Sequence, residues 1–273
     1  MSLRPRRASR GIPLRAVAPN AVTALALCSG LSGIRFAIDG KWELAVTMVL
    51  VAGVLDGLDG RIARMLHGES RFGAELDSLS DAISFGVSPA LILFLWSTRE
   101  LPRFGWIAAL LLAVFCALRL ARFNAAIDSD DQPHKSAGFL TGVPAPAGAS
   151  LALLPMFAWF ATDTELWWVR SPYLVAPWIV AVAALMVSNL ATWSWTSLRL
   201  RRTVRFEAIL IVVAIGAAAV SAPWHTATGL CLLYLLAMPF SVVSYARVKR
   251  LRAAGQLPPT HSTSAAPPPD AQL

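Results

Sequence analysis

Four aspartates stand at short, regular intervals inside an otherwise apolar stretch of the chain. They are Asp56, Asp59, Asp77 and Asp81, within the segment VLDGLDGRIARMLHGESRFGAELDSLSDAISFG. Spacings of three and four residues place the two members of each pair on one face of a helix. Because charges are costly within apolar membrane helices, the four acids indicate a site that binds cations.

The chemistry that suits these acids is metal-assisted transfer of a phosphate-linked group. Carboxylate oxygens without a His or Cys partner favour hard ions such as Mg²⁺, Mn²⁺ or Ca²⁺. Two ions held by shared carboxylates can clamp a phosphate during in-line displacement. The polar connection at residues 66–72 is short, so the two acidic helices are expected to be antiparallel neighbours whose carboxylates converge.

Small and basic residues accompany the aspartates in a fixed register. Gly60, Ala63 and Gly73 let two helices approach closely or leave space for a nucleotide and its phosphates. Arg64, one helical turn after Gly60, can pair with phosphate oxygens. A single aspartate at a helix end is more often a cap or a solvated charge. Four in this register, with glycine, alanine and arginine between them, indicate chemistry at a pyrophosphate.

The elements that must position these residues are membrane helices. Of the 273 residues, 56% are hydrophobic, and runs of about 20 apolar residues are long enough to cross ~30 Å of hydrocarbon as helices. We therefore predict an all-α, polytopic membrane bundle of about eight transmembrane helices. The predicted spans are residues 20–38, 42–65, 76–96, 104–123, 142–161, 172–191, 206–222 and 226–245.

The basic residues orient this bundle in a cell membrane. Positively charged loops translocate poorly, and only five of the 24 Lys and Arg residues fall on the side opposite the N-terminus. Both termini and the acidic site are therefore predicted to face the cytoplasm. The net charge of +8 fits anionic lipid heads rather than nucleic acid, because the charges cluster at helix ends. We expect a basic N-terminal segment at 1–16, a membrane domain at 17–250 and a disordered tail at 251–273.

The string D-x2-D-G-x2-A-R-x8-G-x3-D-x3-D resembles, at every position, the signature of the CDP-alcohol phosphatidyltransferases. Over roughly residues 17–190 the chain is similar to the bacterial phosphatidylserine synthases of that family. The segments that carry this similarity are APNAVTALALCSGLSGI, GAELDSLSDAISFGVSPA, ALRLARFN and GFLTGVPAPAG. The resemblance implies transfer of a phosphatidyl group from CDP-diacylglycerol to the hydroxyl of L-serine, giving phosphatidylserine and CMP.

The resemblance also implies roles for individual residues. Two divalent ions, Mg²⁺ or Mn²⁺, would be held by the four aspartates, and Asp81 would also act as general base. The CDP-binding residues would be Gly60, Ala63, Arg64 and Gly73, with Asn20 and Thr23 from the first helix. Arg119 and Arg122 are candidates for binding the serine carboxylate, with a role as positive anchors at the membrane surface as the alternative. The family suggests a homodimer.

Other activities fit parts of the pattern. The same signature suits another acceptor, such as glycerol phosphate, inositol phosphate or choline, although phosphorylated acceptors would favour a denser basic pocket. A cation transporter would need acids at several depths and broken helices near the bilayer midplane, whereas these acids gather at one face. A prenyl-diphosphate transferase tends to use denser acidic clusters. The residues alone leave the acceptor alcohol open.

Overall fold

The computed structural model of the chain describes residues 14–66, 68, 70–101, 103–127, 139–163, 166–188, 191–193 and 205–253. The α-helices in this part are Leu14–Ile38 (α1), Trp42–Leu66 (α2), Arg71–Asp81 (α3), Ser88–Trp96 (α4), Phe104–Ile127 (α5), Ala145–Ala152 (α6), Leu154–Ala161 (α7), Pro172–Val187 (α8), Arg205–Ser221 (α9) and Pro223–Ala253 (α10). A π-helical turn at Ala82–Val87 joins α3 to α4, and short 3₁₀ turns occur at Thr98–Glu100 and Trp167–Arg170. A small antiparallel ribbon pairs Phe139–Thr141 (β1) with Ala191–Trp193 (β2).

The predicted helical membrane architecture is confirmed in its main feature. Helices occupy each of the apolar segments identified in the sequence. The antiparallel ribbon was not predicted. Within the described ranges, three segments are long and apolar enough to cross a membrane, namely Val17–Ile38, Arg71–Trp96 and Phe104–Ala125. The number of eight crossings and the cytoplasmic placement of the termini remain predictions.

Several helix boundaries differ from those expected. The helix of the second acidic pair begins at Arg71 rather than at residue 76, because the Ser70 hydroxyl caps it by accepting a hydrogen bond from the Gly73 amide at 3.0 Å. The segment predicted at 142–161 forms two helices that meet at Leu153. Pro155 in the first turn of α7 has no amide to continue the preceding helix.

The remaining differences lie near the ends of the predicted segments. Helix α8 ends at Val187 rather than at residue 191, because Ser188 adopts an extended backbone with a ψ angle of 155°. Ala191 then pairs with Thr141 in the ribbon. Helices α1 and α10 reach slightly beyond the predicted membrane domain, to Leu14 and Ala253. Most of the predicted N-terminal segment, and residues 254–273 of the predicted tail, lie outside the described residues.

Helix α1 holds together the elements that carry the acids. It packs along α2 and also contacts α3, the π-helical turn and α4. Because lipid tails are as apolar as core side chains, close packing and interhelical hydrogen bonds must supply this association. Small residues make the approach close, as a methyl group on Gly33 would lie 2.9 Å from the Ala45 carbonyl oxygen. Helix α1 is therefore a common neighbour that positions both acidic helices.

A row of serines, here called the serine ladder, joins the continuous helix of α3 and α4 to α1. The Ser80 hydroxyl donates to the Thr23 carbonyl at 3.3 Å, the Ser84 hydroxyl to the Ala26 carbonyl at 3.4 Å, and the Ser88 hydroxyl to the Gly30 carbonyl at 2.8 Å. All three serines are buried, so these hydrogen bonds satisfy hydroxyl groups that would otherwise be costly in an apolar interior. The ladder fixes the register of the two helices.

Substitution of Gly30 tests this close approach. A methyl group there would lie 2.5 Å from the Ser84 hydroxyl oxygen and 2.8 Å from the Ser84 Cα. We expect Gly30→Ala to force α1 away from the π-helical turn and to lower the free energy of unfolding by about 1–3 kcal/mol. Thermal unfolding in detergent would measure this change as a lower midpoint.

The matched control is Gly216→Ala on α9, where an added methyl group would meet none of the described residues within 4 Å. It is expected to leave the stability unchanged or slightly higher, because alanine favours a helix over glycine. A Gly30→Ala protein that unfolds like the wild type would contradict the tight contact between α1 and the π-helical turn.

Candidate active site

Three of the four predicted aspartates meet between α2 and α3. Asp56, Asp59 and Asp77 each offer one carboxylate oxygen, and these oxygens lie within 4.8 Å of one another. Asp59 is buried, with 4% of its surface exposed, while Asp56 and Asp77 are half-buried. The helical spacing therefore brings acids from two helices to one point, as the sequence predicted.

Asp81 stands beside this group rather than within it. It lies one turn after Asp77, where α3 gives way to the π-helical turn. Its carboxyl group contacts that of Asp56 and interacts with the charges of Asp77 and of Arg119 on α5. We call the four aspartates together the acidic cluster.

The acidic cluster has the donor set that a divalent cation requires. Its three closest oxygens are hard ligands from carboxylates that repel one another unless a positive charge lies among them. Oxygen-only ligands of this kind suit Mg²⁺ or Mn²⁺. The residues present therefore fit the predicted metal.

Helix α1 supplies a hydrogen bond to the acidic cluster. The Thr23 hydroxyl donates to Oδ2 of Asp59 at 2.7 Å, and Thr23 itself is only 4% exposed. The same hydroxyl oxygen lies 3.1 Å from the Pro19 carbonyl oxygen, one turn earlier in α1. One oxygen of the Asp59 carboxylate is thus held by the protein.

A cavity of about 330 Å³ adjoins the acidic cluster. Its walls come from α1, α2, α3 and the turn between the two acidic helices. They include all six predicted CDP-binding residues, Asn20, Thr23, Gly60, Ala63, Arg64 and Gly73, together with Asp59 and Asp77. The structure therefore brings the small and basic residues of the signature to the same space as two of the acids.

The two glycines of the signature shape this cavity in different ways. A methyl group on Gly60 would meet no described residue within 4 Å, whereas one on Gly73 would lie 2.8 Å from Oδ1 of Asn20. Gly60 thus opens the cavity, and Gly73 lets α3 approach α1. The Arg64 side chain folds back so that its Nε donates to the Gly60 carbonyl at 3.0 Å.

The two predicted serine-binding arginines have different surroundings. Arg119 is half-buried and interacts electrostatically with Asp81, and its Nε atom is buried without a hydrogen-bond partner among the described residues. Arg122 is exposed, and its Nη1 donates to the carbonyl of Val187, the last residue of α8, at 3.1 Å. Both lie outside the lining of the cavity. Arg119 is thus next to the acidic cluster, while Arg122 contacts the end of α8.

Sequence reasoning missed several residues around the site. Asn124 donates from Nδ2 to the Ser78 hydroxyl at 2.9 Å and so ties α5 to α3 between Asp77 and Asp81. The hydroxyl of Tyr234, on α10, is buried near Arg119. Serines at four-residue intervals in an apolar helix were a visible signal for the serine ladder. Nothing in the local sequence of α10 indicates that Tyr234 reaches the site.

The fold and the site define a helical membrane protein with an acidic, metal-compatible cavity between its first helices. The sequence model of the CDP-alcohol phosphatidyltransferases matches residues 16–186. A CDP-diacylglycerol–serine O-phosphatidyltransferase of Mycobacterium bovis is 37% identical over 238 residues, which are 87% of this chain and 82% of that relative. One from Helicobacter pylori is 36% identical over 174 residues, covering 63% of this chain and 70% of the relative.

An archaetidylserine synthase of Methanothermobacter thermautotrophicus is 31% identical over 180 residues, covering 63% of this chain and 67% of the relative. The chain belongs to the CDP-alcohol phosphatidyltransferase family. The family and the enzyme class predicted from the signature are thereby confirmed.

Filling the cavity from Gly60 tests whether it is the nucleotide site. The side chain of a Gly60→Leu variant would extend into the cavity, while its Cβ meets no neighbour within 4 Å in the part of the chain that the structure describes, so the fold should be retained. We expect CDP to bind at least about tenfold more weakly, a loss of roughly 1.4 kcal/mol. Calorimetric titration of CDP in the presence of Mn²⁺ would measure it.

Gly57→Leu is the matched control. Gly57 lies on the same helix, has no described residue within 4 Å of an added methyl group, and is not among the residues that line the cavity. This variant is expected to bind CDP like the wild type. Equal binding by the Gly60→Leu variant would show that the nucleotide occupies another place.

Proposed function

We propose that this protein transfers the phosphatidyl group of CDP-diacylglycerol to the hydroxyl of L-serine, forming phosphatidylserine and CMP. The observation that carries the proposal is the meeting of the acidic cluster with a cavity lined by the residues of the family signature. Serine as acceptor is supported by relatives named for that reaction, which align over most of the chain.

In this proposal the cavity holds the CDP part of the lipid donor. Gly60 and Ala63 leave room for the nucleotide, and Asn20 on α1 offers polar atoms to it. Because the Nε atom of Arg64 is engaged by the Gly60 carbonyl, the outer edge of the guanidinium is presented to phosphate oxygens. The cavity walls belong to membrane helices, so the acyl chains of the donor can remain in the bilayer.

The acidic cluster is proposed to hold two divalent ions, Mg²⁺ or Mn²⁺. When bound, such ions neutralise charge on the phosphoryl oxygens and on the departing CMP. Asp56, Asp59 and Asp77 contribute the oxygens that lie within 4.8 Å of one another, and Asp81 adds its carboxyl group beside Asp56. The role of the chain is to keep these oxygens converged before the substrates arrive.

Asp81 is proposed to act as the general base. A serine hydroxyl is a weak nucleophile near neutral pH, so a carboxylate within hydrogen-bond reach must assist its deprotonation. The serine oxygen then bonds to the phosphorus that carries the diacylglycerol, the bond from that phosphorus to CMP breaks, and the proton passes to Asp81. Asp81 suits this role because it lies at the edge of the cluster rather than among its three closest oxygens.

Arg119 is proposed to bind the α-carboxylate of serine. Its guanidinium interacts electrostatically with Asp81 and has a buried Nε atom without a hydrogen-bond partner in the described part of the chain. A carboxylate bound there would supply that partner and place the serine hydroxyl near the proposed base. Arg122 is proposed to add a second positive charge at the rim of this subsite, and it also contacts the end of α8.

We further propose that the enzyme works in the cell membrane as a homodimer, with the acidic cluster toward the cytoplasm. The concentration of Lys and Arg on one side of the predicted spans supports this orientation. Serine and CMP would then exchange with the cytoplasm. Cross-linking in native membranes would reveal the dimer, and a monomer alone would exclude it.

The reaction can be tested with the purified full-length protein, CDP-diacylglycerol and Mn²⁺. We expect CMP release to depend on serine, to yield phosphatidylserine and to stop when the metal is chelated. The Asp81→Asn variant should lower kcat by about 10²–10⁴, because the general base is lost. Asp39→Asn, in the exposed turn after α1, is the matched control and should keep full activity.

The same assay with glycerol phosphate, inositol phosphate and choline separates the acceptor alternatives. Turnover with one of these but not with serine would overturn the proposed acceptor and leave the family intact. Full turnover in the presence of a chelator would overturn the proposed role of the acidic cluster.

The serine subsite has its own test in Arg119→Lys. Lysine keeps the charge but loses the planar pair of donors that matches a carboxylate. We expect KM for serine to rise about tenfold, the equivalent of roughly 1.4 kcal/mol, with KM for CDP-diacylglycerol unchanged. Arg35→Lys, on the exposed side of α1, is the control, and an unchanged KM for serine in Arg119→Lys would remove the proposed role.

A further inference from the structure

Thr23 is bonded to both of the helices that carry the acids. Its hydroxyl donates to Oδ2 of Asp59 on α2 at 2.7 Å, and its carbonyl accepts a hydrogen bond from Ser80 on α3 at 3.3 Å. Thr23, Asp59 and Ser80 are all buried, with 4%, 4% and 2% of their surfaces exposed. A single residue of α1 therefore links α2 to α3 at the level of the acidic cluster.

The hydroxyl of Thr23 has two acceptors but only one proton. The Pro19 carbonyl lies at 3.1 Å and the Asp59 carboxylate at 2.7 Å. A hydrogen bond to an ionised carboxylate is shorter and stronger than one to a neutral carbonyl, so the carboxylate is the preferred partner. This bond, together with a hydrogen bond from the Gly60 backbone, restrains the rotation of the Asp59 carboxylate, which contributes one oxygen to the cluster.

The Ser80 contact acts on the other side of the cluster. Ser80 lies between Asp77 and Asp81 on α3, and its hydroxyl ties that helix to the Thr23 carbonyl. The distance between the acids of α2 and those of α3 thus depends on Thr23, which belongs to neither helix. Ser88, lower on the same ladder, makes the same kind of bond to Gly30 but lies two helical turns farther from the acids.

We propose that Thr23 is a positioning residue for the metal site, holding Asp59 through its hydroxyl and α3 through its carbonyl. This inference deepens the proposed function, because it rests on Asp59 acting as a cation ligand. Thr23 thus has this role in addition to lining the cavity. Outer partners that orient a ligand typically change metal affinity by about 10–100-fold when they are lost.

The test measures binding of Mn²⁺ rather than turnover. Full-length protein in detergent is titrated with Mn²⁺ without substrates, and the free ion is followed by its electron paramagnetic resonance signal. Thr23→Val keeps the shape of the side chain and removes the hydroxyl, and we expect it to bind Mn²⁺ at least about tenfold more weakly. Thr23→Ser retains the hydroxyl and should bind within about twofold of the wild type, a difference of roughly 0.4 kcal/mol.

Two controls separate positioning from a general loss of helix packing. Thr47→Val removes a threonine hydroxyl on α2 that bonds only within its own helix among the described contacts, to the Glu43 carbonyl at 2.7 Å. Ser88→Ala removes a rung of the serine ladder that is remote from the acids, whereas Ser80→Ala removes the rung beside them. We expect Ser80→Ala to weaken Mn²⁺ binding and both controls to bind like the wild type.

Wild-type Mn²⁺ binding by Thr23→Val would overturn the inference, as would equal losses in Ser80→Ala and Ser88→Ala. Thermal unfolding without metal shows which variants remain folded, and if Thr23→Val does not fold, the comparison of the two serines decides. Asp59→Asn separates a failure of the proposed metal site from a failure of the positioning role of Thr23. If it binds Mn²⁺ like the wild type, the proposed metal site fails; if only Thr23→Val does so, the positioning role alone fails.

Discussion

The fold must offset the electrostatic repulsion between carboxylates that lie close together inside an apolar bundle. Asp56, Asp59 and Asp77 bring carboxylate oxygens within 4.8 Å of one another, and Asp59 is almost completely buried. Helices that repel at this point must be held by contacts elsewhere, because membrane helices gain little from hydrophobic association with one another. Those contacts are the glycine approaches and the hydrogen bonds of α1. The packing of the first helices is thus arranged to tolerate the acidic cluster.

The helix that carries Asp77 and Asp81 shows how this is done. It runs without interruption from Arg71 to Trp96, but its middle is a π-helical turn that begins directly after Asp81. Before the turn, α3 presents a polar, half-exposed face to the cavity, and after it α4 is largely buried in the core. A π-helical turn inserts an extra residue and shifts the helical phase, which is frequent at functional sites. One helix can therefore serve the acidic cluster at one end and the core at the other.

The proposed enzyme assembles its two substrate subsites from different parts of the chain. The cavity for the donor is built from α1, α2 and α3, where the family signature lies. The proposed acceptor side draws on Arg119 of α5, with Tyr234 of α10 near it. Such a division would let related enzymes share the chemistry of the donor while later helices select the alcohol. It also explains why the signature by itself does not name the acceptor.

Local sequence patterns specify the helical segments and the pairing of acids on helix faces, and the resemblance to the family signature predicted the small and basic residues that line the cavity. The helical segments and the paired acids can be read locally because a helix of fixed pitch converts residue spacing directly into position. Tertiary packing produces the ribbon, the difference between Arg119 and Arg122, and the link from Thr23 to Asp59. These features depend on contacts between distant residues, such as the 57 positions that separate Ser80 from Thr23. No local pattern specifies which helix will be the neighbour, because that choice is made by the packing of the whole bundle.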